Sequence, residues 1–186
     1  VEERQHMSDM MQKSAHQITT LIDEIIGLSL IESTEKMRRD DQPYVRRMLK
    51  DTVAEYKSLV KRDVTVSLET TLTADFTMKT NENMLKRIIS ALMENAVKYT
   101  DKGSITLRGE SDDKLLTITV EDTGCGIPAD EAEHIFDRFV KLNSFKAGIG
   151  LGLPLSRKLA EQLGGTVTPD TTYKAGARFI VTIPII

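Results

Sequence analysis

Leu115-Leu-Thr-Ile-Thr-Val-Glu-Asp-Thr-Gly-Cys-Gly-Ile-Pro128 alternates apolar and other residues from Leu116 to Glu121 and then breaks at two glycines. Strict alternation is the signature of a half-buried strand, because successive side chains point to opposite faces. The glycines that follow permit tight backbone geometry and the close approach of another group. The spacing therefore predicts a strand whose end presents Asp122 beside a glycine turn. Taken alone, such a turn is either an ordinary connection with a solvated aspartate or the rim of a binding site.

Working outward, Ser104-Ile-Thr-Leu-Arg108 alternates in the same way and is joined to this strand through the polar Asp112-Asp113, which predicts a hairpin. Upstream, the pattern predicts a helix over about Arg46 to Lys61, a strand over Val64 to Thr70, a short strand over Phe76 to Lys79 and a helix from Asn81 to about Tyr99. Downstream it predicts helices over about Asp130 to Phe139 and Leu151 to Leu163, with strands around Thr166-Val167 and Arg178 to Ile183. Helices gathered on one face of a mixed sheet, an α+β two-layer sandwich, accommodate this order best.

Before that unit, Met7, Met11, Ser14, Ile18, Leu21, Ile25 and Leu28 recur at alternating steps of four and three, the seam of a packed helix. The stripe is either plain core or the face of a helix whose partner lies outside the domain. The charged run Glu32 to Gln42, closed by Pro43, breaks the period and reads as a linker. The chain opens on Val1, in the middle of the helical pattern, so a fragment is expected.

The composition sets bounds. With 186 residues, 40% of them hydrophobic, the chain is able to bury one main core. A net charge of −3 gives no reason to expect nucleic acid, which calls for clustered positive charge. One cysteine, Cys125, forms no internal disulfide, so the cytosol is the natural reading. No apolar run approaches the roughly 20 residues of a membrane span, and no signal peptide is expected.

Two further segments carry chemistry. Gly148-Ile-Gly-Leu-Gly-Leu153 opens a helix, where backbone N–H groups and the helix dipole favour an anion. It fits neither the dinucleotide fingerprint nor the Lys-Ser/Thr ending of the ATPase P-loop. In Glu94-Asn-Ala-Val-Lys-Tyr-Thr100, Asn95 and Lys98 are three apart and share a helix face. Magnesium takes hard oxygen ligands and commonly shares them with substrate phosphates, which suits a single Asn.

These three segments, in this order, resemble the boxes of the Bergerat-fold (GHKL) ATPases, the superfamily of histidine kinases, gyrase, the ninety-kilodalton chaperones and MutL. Asn95 to Thr100 resembles its N box, Asp122 to Pro128 its first glycine box and Gly148 to Leu153 its second. Ile135-Phe-Asp-Arg-Phe-Val-Lys141 resembles the F box of histidine kinases, and Gly164-Gly-Thr166 with Gly176-Ala-Arg-Phe179 resembles the closing strands. Ile18 to Glu32 is similar to the second helix of the kinases' dimerisation and phosphotransfer hairpin. The resemblance divides the chain into 1–36, a partial hairpin helix with its linker, and 37–186, a catalytic ATP-binding domain.

The resemblance implies that Asn95 ligates magnesium and that Asp122 accepts a hydrogen bond from the adenine amino group. Gly124, Gly126 and Ile127 would lie against the base, and Lys98 and Tyr99 would contact phosphates and nucleotide. Gly148, Gly150, Leu151 and Gly152 would hold the phosphates and hinge a lid over about 140–147, with Lys141 and Lys146 as its cations and Phe136 and Phe139 as its brace. It further implies ATP and magnesium as cofactors, transfer of the γ-phosphate to a histidine, a response-regulator receiver domain as partner, and a homodimer through the N-terminal helix.

Some positions depart from the pattern. Four residues before Asn95 stands Ala91, where the superfamily usually has a polar residue, so the water-activating carboxylate of its hydrolases is missing. Glu94 points about 100° away round the helix. Ile149 and Ala177 replace frequent threonines. The acceptor box, a histidine followed by an acid, is not found at His6, His16 or His134, which are expected to be surface or flank positions, and no pair has the spacing of zinc ligands. Two rivals are a serine kinase of the anti-sigma type and a degenerate module that binds nucleotide or protein without chemistry.

Overall fold

The computed structural model describes residues 38–140 and 150–186, together with Ser14 and Ile22. Most of the heptad seam and most of the lid segment lie outside the described residues. The elements are α1 (Val45–Lys57), β1 (Val64–Thr70), α2 (Glu82–Tyr99), β2 (Gly103–Ser111), β3 (Leu115–Asp122), α3 (Gly152–Gln162), β4 (Thr166–Pro169) and β5 (Arg178–Pro184), with a 3-10 turn at His134–Phe136.

Five strands form one sheet in the order β1-β2-β3-β5-β4. The β1–β2 pair is parallel and needs a crossover, which α2 supplies; the remaining pairs are antiparallel. The β2–β3 hairpin closes at the expected place, where Asp112 Oδ1 accepts from the Lys114 and Leu115 N–H groups at 2.7 Å each. The helices pack on one face of the sheet and on each other.

Periodicity explains which sides are buried. In α1, Val45, Met48, Leu49, Thr52, Val53 and Tyr56 follow the i, i+3, i+4 spacing that collects side chains on one stripe. In α2, Leu85, Ile88, Ile89, Leu92 and Met93 are fully buried, meeting Leu107, Ile118 and Val181 from the sheet in one core. Each such side chain contributes about 1.5–3 kcal/mol by leaving water. The ends of α2 are equally well specified: Asn81 caps it by accepting from the Met84 N–H at 3.0 Å, and Glu82 and Lys98 complement its dipole.

Two expected elements are corrected. The stretch from Asp130 to Phe139 is a series of turns with one 3-10 turn, because the chain must fold inward there. Phe136 is buried at right angles to the Phe179 ring, with ring centroids 6.3 Å apart, and the Arg157 guanidinium lies 3.5 Å from its ring centre. The short strand expected over Phe76 to Lys79 is replaced by two isolated bridges, Asp41 to Thr80 and Tyr44 to Thr77. Pro43 lies between the bridging residues and has no N–H to continue a ladder.

Candidate functional site

The N-box helix α2 connects the two glycine segments. Ala91, Asn95 and Tyr99 recur every four residues and share a face of the helix, spanning about 12 Å at 1.5 Å per residue. At one end, a Cβ on Gly152 would come within 3.9 Å of the Ala91 methyl. At the other, a Cβ on Gly124 would lie 2.3 Å from the Tyr99 carbonyl oxygen, so only glycine lets the β3 turn rest against the end of α2. Asn95 lies midway and is half-buried. The fold thus sets the first glycine segment and the described part of the second, 150–153, against the two ends of the Asn95 helix face.

Asp122 closes β3 and is only 4% exposed. Its Oδ1 accepts two backbone hydrogen bonds, from Gly124 N–H at 2.8 Å and Ala177 N–H at 3.2 Å. No described residue bonds its Oδ2. Burial pushes the carboxyl above its usual range, and the two N–H donors oppose that shift. The carboxylate thus has one oxygen fixed by the main chain and one left with acceptor capacity.

The backbone around Asp122 is held from both sides. Its N–H donates to the Ala177 carbonyl at 2.9 Å, and Gly176 lies so close that a Cβ would stand 2.0 Å from the Asp122 oxygen. Ala177, where a threonine is frequent, therefore contributes through its main chain. Gly176 was legible only as part of the closing strand; its contact with Asp122 joins residues more than fifty positions apart. Gly126 takes φ +74°, and Ile127 is half-buried against the core.

The second glycine segment begins α3. Leu151 occupies the N-cap position with no side-chain cap, and it is buried, so its available contribution to a ligand is main-chain. Gly152 and Leu153 are the first helical residues, and Pro154 follows without an N–H. Gly150 takes φ +82°, and Phe139, on the far side of the lid segment, takes φ +67°. Phe139 N–H donates to the Gly150 carbonyl at 3.0 Å, which ties the two ends of that segment together. Phe139 is 66% exposed and Phe136 is core, so the two phenylalanines take separate roles. Lys141, Lys146 and Gly148 lie outside the described residues.

Lys98 Nζ stands 5.0 Å from the centre of the Tyr99 ring. Glu94 is exposed and turned toward α1, where, after burial, its charge and hydrogen bond help to raise the Tyr56 hydroxyl pKa. It is accounted for away from the Ala91-Asn95-Tyr99 face. His134 is exposed and paired with Asp137 at 3.1 Å, which holds its pKa above the ordinary value.

A mixed sheet with helices on one face, a buried strand-end aspartate and two glycine segments joined by an asparagine-bearing helix define an ATP-binding catalytic domain of the histidine-kinase type. The chain belongs to the histidine kinase-, DNA gyrase B- and HSP90-like ATPase family, whose model matches residues 80–186.

Sensor histidine kinase RcsC of Escherichia coli K12 is 32% identical over 182 residues, covering 94% of this chain and 19% of that protein. Sensor protein TorS of the same organism is 29% identical over 175 residues, covering 92% of this chain and 19% of that protein. The chain thus spans about a fifth of the length of these curated relatives. Among solved structures, full-length ShkA in complex with AMPPNP superposes with a TM-score of 0.82 at 23% identity, covering all of this chain and 39% of that one. The Acinetobacter baumannii histidine kinase AdeS does so with 0.76 at 18% identity, covering 92% of this chain and 80% of that one. At these identities the structural likeness speaks for the fold.

Proposed function

We propose that the chain holds ATP with magnesium and presents its γ-phosphate to a histidine on a separate acceptor helix, for relay to an aspartate of a response-regulator receiver domain. Asp122 Oδ2 would accept from the adenine amino group, with Gly124, Gly126 and Ile127 beside the base and Tyr99 and Lys98 along the nucleotide. The N–H groups of Gly152 and Leu153, with Gly148, Gly150 and Leu151 leading into them, would face the phosphates. Lys141 and Lys146 would close over them, and Phe139 would mark the hinge.

The donor set suits magnesium. Among the described residues no cluster of three or more His, Cys, Asp or Glu side chains forms a cage, whereas Asn95 supplies one hard oxygen at the middle of the site. Bound with ATP, the ion would neutralise charge on the phosphates. The chain's own part is positioning and electrostatic stabilisation, the main source of rate in phosphoryl transfer.

The observation that carries transfer over hydrolysis is the methyl of Ala91 at the start of α3, with Glu94 engaged toward Tyr56. No described carboxylate stands on that helix face to activate water. The helix expected within residues 1–36 would pair in a homodimer, and residues 37–186 would act on the cytoplasmic side. No described helix is long and apolar enough to cross a membrane. The family and its sensor-kinase relatives favour this reading over a degenerate module or an anti-sigma serine kinase.

The test combines this chain with radiolabelled ATP, magnesium and a separate acceptor hairpin. Label should appear on the hairpin histidine and stay off His6 and His16, with negligible release of inorganic phosphate. Label on His6 or His16 would overturn the assignment of the acceptor. ATP binding without any transfer would favour the degenerate module.

A further inference from the structure

Glu121 and Asp122 are neighbours on β3 and therefore point to opposite faces of the sheet. Asp122 faces the helices and the nucleotide site. Glu121 faces the side that no described helix covers, yet it is only 8% exposed. Two guanidinium groups account for this. Arg108 of β2 forks onto it, Nε to Oε1 at 3.1 Å and NH2 to Oε2 at 3.2 Å. Arg178, its register partner on β5, places Nε 2.8 Å from Oε1, an ion-pair contact whose direction falls short of a hydrogen bond.

The pairing continues in both directions. Arg108 also meets Glu69 on β1, while Arg178 NH1 donates to Asp170 Oδ2 at 3.0 Å and its guanidinium lies 4.1 Å over the Tyr173 ring. Asp170 is itself fixed by the Thr172 N–H and hydroxyl on its other oxygen, at 2.9 and 2.6 Å, and its N–H donates to the Arg178 carbonyl at 2.8 Å. Asp170 and Tyr173 belong to the connection that leads from β4 to Gly176 and Ala177. One side chain thus grips the start and the middle of that connection and the strand beneath it. The residue immediately before Arg178 is Ala177, whose N–H donates to Asp122 Oδ1 on the opposite face.

We infer that Arg178 is a positioning residue for base recognition: from the sheet face that no described helix covers it locks the 170–177 connection onto Glu121, and thereby fixes the Ala177 N–H that aims the Asp122 carboxylate at the adenine amino group. The inference rests on the adenine-site reading of Asp122. Arg178 touches no nucleotide in this scheme. Its effect falls on which base is preferred, because the backbone donor it holds orients one oxygen and leaves the other for the ligand. Lysine keeps the charge but lacks the planar fork that reaches Glu121 and Asp170 at once and stacks on Tyr173, so it should restore the function only in part.

The test uses the full 186-residue chain and measures binding of ATP, GTP and inorganic triphosphate with magnesium, by calorimetry or by competition. GTP carries an acceptor where adenine carries its amino group. Arg178→Gln should weaken ATP roughly tenfold, the loss of about one charge-assisted contact, while triphosphate binding stays within about twofold. The preference for ATP over GTP should collapse accordingly. Arg178→Lys should recover part of the preference, and Glu69→Gln, at the far end of the chain of charges, should leave it intact. Should Arg178→Gln fail to fold, Asp170→Asn and Tyr173→Ala loosen the same connection and should lower the same ratio.

Equal weakening of all three ligands would overturn the inference, since it would mark a general structural role. Unchanged preference would overturn it as well. Asp122→Ala, run alongside, separates the two layers: retained ATP binding in that variant would refute the site itself. Lost binding there with a normal ATP preference in Arg178→Gln would refute the positioning role alone.

Discussion

The two ends of the candidate site are built on different plans. At the Asp122 end every main-chain approach is fixed: Gly124 against the Tyr99 carbonyl, Gly176 against the Asp122 carbonyl, and two N–H groups on one carboxylate oxygen. At the α3 end, the helix starts without a side-chain cap, and the described residues Phe139 and Gly150, both at positive φ, are joined by one hydrogen bond. The first plan suits selection of a rigid, planar base by a preorganised acceptor. The second leaves main-chain N–H groups at a helix start, where an anion is favoured.

The sharpest way to break the comparison is to remove the acceptor. Asp122→Ala should reduce ATP affinity on the order of 100-fold, the upper range for a hydrogen bond to a charged group, as read by titration calorimetry. The fold should survive, since the backbone pairing of Asp122 with Ala177 does not need the carboxylate. An affinity within twofold of the parent chain would show that recognition of the base lies elsewhere.

A matched pair of glycine substitutions tests whether the two ends act independently. Gly124→Ala forces a Cβ into the Tyr99 carbonyl and should cost about 1–3 kcal/mol of stability, with adenosine and ATP binding both impaired. Gly150→Ala combines a left-handed φ with a Cβ 2.6 Å from the Val140 oxygen, costing about 1–2 kcal/mol. Its effect should fall on ATP and spare adenosine. Thermal melts with the two ligands distinguish the outcomes.

The smallest effects concern pH, and two carboxylates should respond with opposite sign. Burial raises the Asp122 pKa in the folded chain, so the fold holds that proton more tightly than the unfolded chain does. Its stability contribution is therefore full at low pH and is lost as pH rises from its ordinary value, 3.8, through the raised one. Over the same window ATP binding should strengthen as the acceptor ionises. Asp170 is held at about 2 by the Thr172 hydroxyl and N–H and then by Arg178, so it stabilises above the ordinary carboxylate range and loses that contribution as pH falls toward 2. Melts of Asp122→Asn and Asp170→Asn against pH should diverge from the parent chain in these opposite directions.

Much of this was legible before the structure. The caps and apolar stripe of α2, the alternation of β2 and β3 and the Asp112 turn are local signals, decided within a few residues by geometry and hydrogen bonding. Asp122 and its glycines were identifiable by type and spacing. The region from Asp130 to Phe139 misled, because helix-compatible residues there are overruled by the burial of Phe136 against Phe179 and Arg157, partners supplied by other elements. Arg178 and Glu121 carried no signal as strand residues, since their roles depend on which strands become neighbours.

The amino-acid sequence by itself determined the order of the five strands and of the three main helices, the helix faces, the family and the residue types available to meet a nucleotide, because these follow from short-range periodicity and from motifs with fixed spacing. Only the tertiary structure decided that Gly176 and Ala177 close on Asp122, that Glu94 turns to Tyr56, and that a chain of charges crosses the sheet face that no described helix covers. Those contacts join segments far apart in the chain. They exist only because pairing β3 with β5 and packing α2 against the sheet bury enough apolar surface to bring those segments together.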